Sequence, residues 1–215
     1  MYAEFPAERI VKRDPDGNWC KWNGTAYASL ITGLSGYVYC MAEGPDGKIY
    51  VGGNFTDAGG VADADYLARW NPVTEAWEAV VSGINGAVRC LAFDANGDLY
   101  AGGDFTELGS VSGNRIVKIS NLDGMPTISS LGPSFGLDDT CHSIAINSNG
   151  DVYAGGVFEH VGYLTVGGIA KWDGSAWSAL AAGLNGSVHT LAFAPNGDLY
   201  IGGLFADASY PNLCK

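Results

Sequence analysis

Positive charge is scarce in this chain. Eleven Lys and Arg face 23 Asp and Glu, which leaves a formal charge of −12 over 215 residues. Only six of the cations fall between Trp22 and Cys214, and they are scattered. A nucleic-acid groove needs clustered cations to neutralise phosphates, so nucleic-acid partners are excluded. Binding to an anionic membrane surface is disfavoured for the same reason. Long apolar runs are missing too, and none approaches the roughly 20 residues of a membrane helix, which excludes membrane insertion. Motifs of covalent or metal chemistry are also lacking: no Gly-x-Ser-x-Gly elbow, no Cys with a predictable His, and no His pair at metal spacing. The three histidines, His142, His160 and His189, stand far apart in sequence. No cofactor or metal is therefore expected, and the chain reads as non-enzymatic. Paired carboxylates drawn from separate segments would stay invisible at this level. The start, MYAEFPAERIVKRD, has no apolar core of a secretory signal. That leaves open a cytoplasmic protein, a mature form with an added Met, a fragment or a virion component.

What the chain has in abundance is glycine, 32 residues, arranged periodically. GKIYVGGNF (47–55), GDLYAGGDF (97–105), GDVYAGGVF (150–158) and GDLYIGGLF (197–205) repeat at a spacing of roughly fifty residues. A second element reads ARWNPVTEAWEAV at 68–80 and AKWDGSAWSAL at 170–180, with a shorter echo, KWNGTAYASL, at 21–30. In the last repeat SVHTLAFAP is rich in β-formers, NGD is a hairpin turn and LYIGGLF returns. Each unit thus supplies four short antiparallel strands, the sequence signature of a propeller blade. The expectation is an all-β protein: a β-propeller of about four four-stranded blades. Residues 1–20 are assigned to an N-terminal attachment or closing segment and 21–215 to the propeller.

The double glycines predict close approach of a neighbouring blade. Phe55, Phe105, Phe158 and Phe205, with Tyr50, Tyr100, Tyr153 and Tyr200, are expected to fill the space between blades, as are Trp70, Trp77, Trp172 and Trp177. The third unit departs from the pattern, with Ile119 and Ile128 at the Trp positions and a longer connection, MPTISSLGPSFGLDDT. The Asn and Asp residues around Asp46, Asn96–Asp98, Asn149–Asp151 and Asn196–Asp198 read as turn chemistry, because they lack the alternating spacing of a calcium loop.

On these motifs the units resemble bacterial and phage repeats of kelch-like, galactose-oxidase-like β-propeller character. The resemblance covers nearly everything after residue 20. It implies a binding scaffold; galactose oxidase chemistry does not carry over, since its copper ligands have no counterpart here. The spacing departs from the standard kelch motif, with Trp70 seventeen residues after Gly53. Three arrangements follow for the array: closure within the chain, with the strand around Arg9–Arg13 completing the last blade; part of a larger ring; or an arc completed by another copy. Cys40 and Cys90 share a repeat position and read as buried free thiols. Cys20 and Cys214 lie near the two ends of the array, where a disulfide between first and last blades is one alternative.

Two groups of residues are candidate binding sites. Tyr39, Arg89, His142 and His189 occupy one strand position that stays polar or amphipathic between apolar neighbours, which predicts a ring of hydrogen-bonding groups around the axis. Tyr66, His160, Tyr163 and Tyr210 lie in the loops after GGxF, where tyrosines offer sugar rings an apolar face and a hydroxyl. The functional expectation is a recognition or adhesion module for a glycan or protein, outside a cell or on a virus particle such as a phage tail or fibre. The alternatives are a structural assembly subunit, including a homo-oligomer, or a propeller-type glycan hydrolase or lyase.

Overall fold

A computed structural model describes residues 11–13, 19–22, 25, 27–29, 33–132, 136–180, 184, 186–205 and 213–214, with 11–13, 19–22, 27–29 and 213–214 described as backbone. The described residues form strands and turns and contain no helix. β1 (Val11–Arg13), β2 (Trp19–Trp22) and β3 (Tyr27–Ser29) make a three-stranded antiparallel sheet. The first full blade follows as β4 (Val38–Glu43), β5 (Ile49–Gly53), β6 (Leu67–Asn71) and β7 (Ala76–Ala79), paired in chain order.

The second blade contains β8 (Val88–Phe93), β9 (Leu99–Gly103), a small hairpin of β10 (Glu107–Leu108) and β11 (Val111–Ser112), then β12 (Ile116–Ser120) and β13 (Thr127–Ser130). The third repeats this plan with β14 (Cys141–Ile146), β15 (Val152–Gly156), the hairpin β16 (His160–Val161) and β17 (Leu164–Thr165), β18 (Ile169–Trp172) and β19 (Trp177–Ala179). The last blade has β20 (Gly186–Phe193), β21 (Leu199–Phe205) and β22 (Leu213–Cys214). The four-stranded antiparallel sheets are the blades of a β-propeller, as the repeats predict.

The innermost strands stack in succession, β4 on β8, β8 on β14 and β14 on β20. No packing of that extent joins β20 to β4 among the described residues. The expectation that the strand around Arg9–Arg13 completes the last blade is not met. Val11–Arg13 pairs with Trp19–Lys21 instead, and β21 takes β22 as its partner. A short connection makes the local antiparallel pairing cheaper to close than one at the far end of the chain. β2 also runs across the boundary drawn between residues 20 and 21, so this sheet takes residues from both assigned segments.

The core lies between blades. Tyr50 and Leu67 of the first blade cluster with Val88, Leu99 and Phe105 of the second, while Ala145 and Ile169 of the third cluster with Val188 and Leu191 of the fourth. Phe55, Phe105 and Phe158 are wholly buried, and Tyr50 meets the next blade's Phe93 edge-on at 5.1 Å, as Tyr153 meets Phe193. Trp70 pairs across strands with Trp77 and Trp172 with Trp177, at 5.4 and 5.6 Å between rings; Trp172 and Trp177 also pack on the cluster shared with the second blade, where Trp177 Nε1 donates to the Leu131 carbonyl at 2.7 Å. In the second blade the same place is taken by Ile119 opposite Ile128.

Each Gly-Gly pair serves two purposes. A side-chain carbon at Gly102 would lie 2.7 Å from Cys90 Sγ of its own blade and 2.8 Å from Cys141 Sγ of the next. Gly52 and Gly155 receive Val88 and Val188 in the same way. The first glycine is thus a recess that accepts a projecting side chain from the following blade. At the second, Gly103, a side-chain carbon would strike the carbonyl oxygen of Ala87. That closeness comes from an irregularity in the inner strand, and it positions the candidate site.

Candidate functional site

All four inner strands carry a β-bulge at one place. Val38 faces Gly53 and Cys40 faces Gly52, which leaves Tyr39 as the extra residue. The register shifts likewise across Arg89, His142 and His189. The polar position of the repeat is therefore the bulge residue of every blade. A bulge leaves its extra residue out of the ladder and re-aims the side chain. The inner strands that carry these residues pack in succession, β4 on β8, β8 on β14 and β14 on β20, which brings the bulge residues of successive blades together.

The contacts along the row are direct. The Arg89 guanidinium lies 5.0 Å from the centre of the Tyr39 ring, and the His142 and His189 rings meet edge-to-face at 5.5 Å. Arg89 Nε donates to Asp104 Oδ1 at 2.7 Å, and Thr140 Oγ1 donates to the same oxygen at 2.9 Å. Arg115 Nη1 in turn donates to the Asp104 backbone carbonyl at 2.6 Å. Partial burial works against the Asp104 charge, but the bonds from Arg89 and Thr140 outweigh it and hold the carboxyl below the usual carboxylate range. Partial burial lowers the His142 pKa, and the neighbouring Arg89 and His189 lower it further, so this imidazole is neutral at neutral pH. The row thus combines an aromatic face, a fixed guanidinium and imidazoles able to donate or accept. Asp104 and Thr140 were not among the sequence candidates. The signal for Asp104 is the variable residue of GGxF, which reads Asn54, Asp104, Val157 and Leu204; Thr140, in the connection ahead of β14, has none.

The loop candidates do not assemble into one site. Tyr66 has a left-handed backbone (φ 62°), and its half-buried ring packs on the cluster between the first two blades. His160 Nδ1 lies 3.0 Å from Asp138 Oδ2, and Asp138 Oδ1 accepts the amides of Glu159 and His160. Asn85 does the same for Thr106 and Glu107, so this contact is a device that holds the small hairpin in the second and third blades. Tyr163, at the turn between β16 and β17, is 93% exposed. Tyr210 lies outside the described residues, as do the side chains of Cys20 and Cys214 and with them the disulfide alternative. Cys40, Cys90 and Cys141 are free thiols.

The opposite rim carries the hairpin turns. Asp94 Oδ1 accepts the amides of Asn96 and Asp98, and Gly97 has φ 84°, which accounts for these acidic turns without a metal. Among the described residues no group of three or more His, Cys, Asp or Glu could hold an ion. A cavity of about 610 Å³ opens between the turns of the first two blades, lined by Asp46, Tyr50, Asp98, Leu122, Asp123 and Met125 among others. Arg69 pins its roof, donating to the Leu122 carbonyl at 2.7 Å while its Nε bonds Glu78. Burial pushes the Tyr50 hydroxyl up to about 12 despite its bond from Arg69.

The family model of the Rax2 C-terminal β-propeller domain matches residues 23–118. Among solved structures, the chain is similar to the extracellular domain of a one-component system from B. thetaiotaomicron, with a TM-score of 0.58 and 15% identity, over 91% of this chain and 24% of that one. It is similar to a chain of the mitotic checkpoint complex, with a TM-score of 0.58 and 20% identity, over 86% and 51%. A protein assigned as a gluconolactonase matches with a TM-score of 0.51 and 14% identity, over 89% and 69%. At such identities the likeness shows the fold, a β-propeller. The chain spans 24% of the first of these neighbours and 51% of the second. No curated protein matches it.

Proposed function

We propose that this chain is a non-enzymatic recognition module that binds a glycan at the row Tyr39–Arg89–His142–His189. One observation carries the reading: each blade spends its bulge residue on this row, and those residues are the aromatic and hydrogen-bonding types that hold a sugar. The Tyr39 ring, 42% exposed, gives a pyranose an apolar surface. Arg89, fixed by Asp104, and the two imidazoles supply donors and acceptors for hydroxyl or carboxylate groups. Specificity comes from polar groups whose partners are already in place, which lowers the ordering cost of binding.

Display outside a cell or on a virus particle, as an adhesin built from kelch-like units, belongs to the same proposal. The similarity to an extracellular domain supports it at the level of fold. The acidic surface, with a net charge of −12, suits soluble display and gives no purchase to nucleic acid. Binding of the purified, labelled protein to a broad glycan array tests the reading. Selective hits that disappear with Arg89→Ala are expected. A blank array with intact positive controls would overturn it and move the weight to protein recognition or assembly.

A further inference from the structure

The glycine recesses at Gly52, Gly102 and Gly155 are each filled by a knob from the next blade, Val88, Cys141 or Val188, and all three knobs are wholly buried. The residue that pairs with the recess glycine on its own inner strand is Cys40, Cys90 or Ser143. The recesses thus combine Cys40 with Val88, Cys90 with Cys141, and Ser143 with Val188. The knob is valine in two of them and cysteine in the one where it meets a cysteine. There the sulfurs converge. Both overhang Gly102, whose side-chain carbon would lie 2.7 Å from Cys90 Sγ and 2.8 Å from Cys141 Sγ. The two sulfurs are 3.8 Å apart, and Cys90 Sγ also lies 3.7 Å from the Cys141 carbonyl oxygen. In the reduced chain they are free thiols, 7% and 0% exposed.

We infer that Cys90 and Cys141 are a disulfide-forming site that joins the second blade to the third. To bond, the sulfurs close from 3.8 Å to about 2.0 Å, in space that Gly102 leaves open. The oxidant is a small-molecule disulfide such as oxidised glutathione. One cysteine thiolate attacks it and releases a glutathione thiolate; the other cysteine attacks the mixed disulfide and releases the second. Both cysteine protons end on the two glutathiones, and the pair's two electrons reduce the oxidant. Burial keeps the Cys90 thiol protonated between closed blades, so exchange takes place while the blades assemble, and the finished bond is shielded from reductant. Cys90 follows Arg89 and Cys141 precedes His142, so the bond also ties together two neighbouring members of the row. It forms whether or not that row binds a glycan.

Refolding the full, reduced chain from urea in a glutathione redox buffer, then alkylating it in urea and mapping peptides by mass spectrometry, tests this. A peptide linked through Cys90 and Cys141 is expected, with Cys40 alkylated. A sample kept reduced should alkylate at both. Cys141→Val, which copies the knob of the other two recesses, should fold without the cross-link. Reduction should lower the wild-type Tm by about 4–16 °C more than that of Cys141→Val. The linked peptide is read on the wild type alone, so the test stands even if the variant unfolds. Oxidised wild type in which Cys90 and Cys141 both alkylate would overturn the proposal, as would linkage of either to another cysteine.

Discussion

If blades are held by a projecting side chain set in a glycine recess, then enlarging the recess floor and shrinking the knob must compensate one another. Gly155 and Val188 allow this to be tested. A side-chain carbon at Gly155 would collide with Val188 Cγ1 and sit 3.1 Å from Val188 Cβ and 3.2 Å from Leu191 Cδ1. Val188 is fully buried and cannot swing aside. Gly155→Ala alone should therefore cost about 1–3 kcal/mol through overpacking. For a chain of this size that lowers Tm by about 2–12 °C. Val188→Ala removes two methyl groups worth about 0.8 kcal/mol each, plus a cavity contribution, so roughly 1.5–3 kcal/mol. In the double variant the new methyl at 155 occupies the space the valine vacated, and the pair should cost less than the sum of the singles by at least about 0.5 kcal/mol. Urea unfolding with an unchanged m-value measures all three. Additivity within about 0.5 kcal/mol would refute the recess-and-knob reasoning.

Three further outcomes are expected. His142 should titrate below the ordinary His range in the folded chain, read from its ring proton shifts. Because its folded pKa lies below the unfolded value of 6.5, its contribution to stability is fully present above pH 6.5 and is lost as pH falls through the folded value. A His142 resonance that titrates at or above 6.5 would contradict this. Burial pushes the Cys40 thiol up to about 12 and raises Cys90 well above its usual value, so both should resist alkylation in native buffer and react in urea, as mapped by peptide mass spectrometry. Rapid native labelling at either would contradict their packing. Asp104→Asn should loosen Arg89 and reduce ligand affinity about tenfold without unfolding the blades, since the pair is about a third exposed; unchanged affinity would remove Asp104 from the site.

Much of this architecture is legible in the sequence because the repeat writes it several times. Four strands per unit, the turn glycines and the buried aromatics follow from local pattern. The row Tyr39–Arg89–His142–His189 was visible as one variable position between constant apolar ones. What made it converge was hidden: a bulge adds a residue to one strand only, and nothing in that strand's composition marks it. Its trace is the second glycine of the opposite strand, which reads equally well as blade packing. Asp104 escaped notice because its neighbour in space, Arg89, lies fifteen residues away in sequence. Tyr66 and His160 share a loop type with Tyr163, yet backbone conformation turns Tyr66 onto the core and Asp138 holds the half-exposed His160, a distinction set by tertiary contacts. The pairing of β1 with β2 depended on which of two edges the N-terminal strand would take, and composition does not distinguish them.

The central claim is that the bulge residues, and not the loop tyrosines, bind the ligand. Titration of a glycan selected from the array against wild type, Arg89→Ala and Tyr163→Ala by isothermal calorimetry tests it most directly. The account predicts at least a tenfold loss for Arg89→Ala, about 1.4 kcal/mol, and wild-type affinity for Tyr163→Ala. The reverse pattern would place recognition on the β16–β17 hairpin and contradict the account.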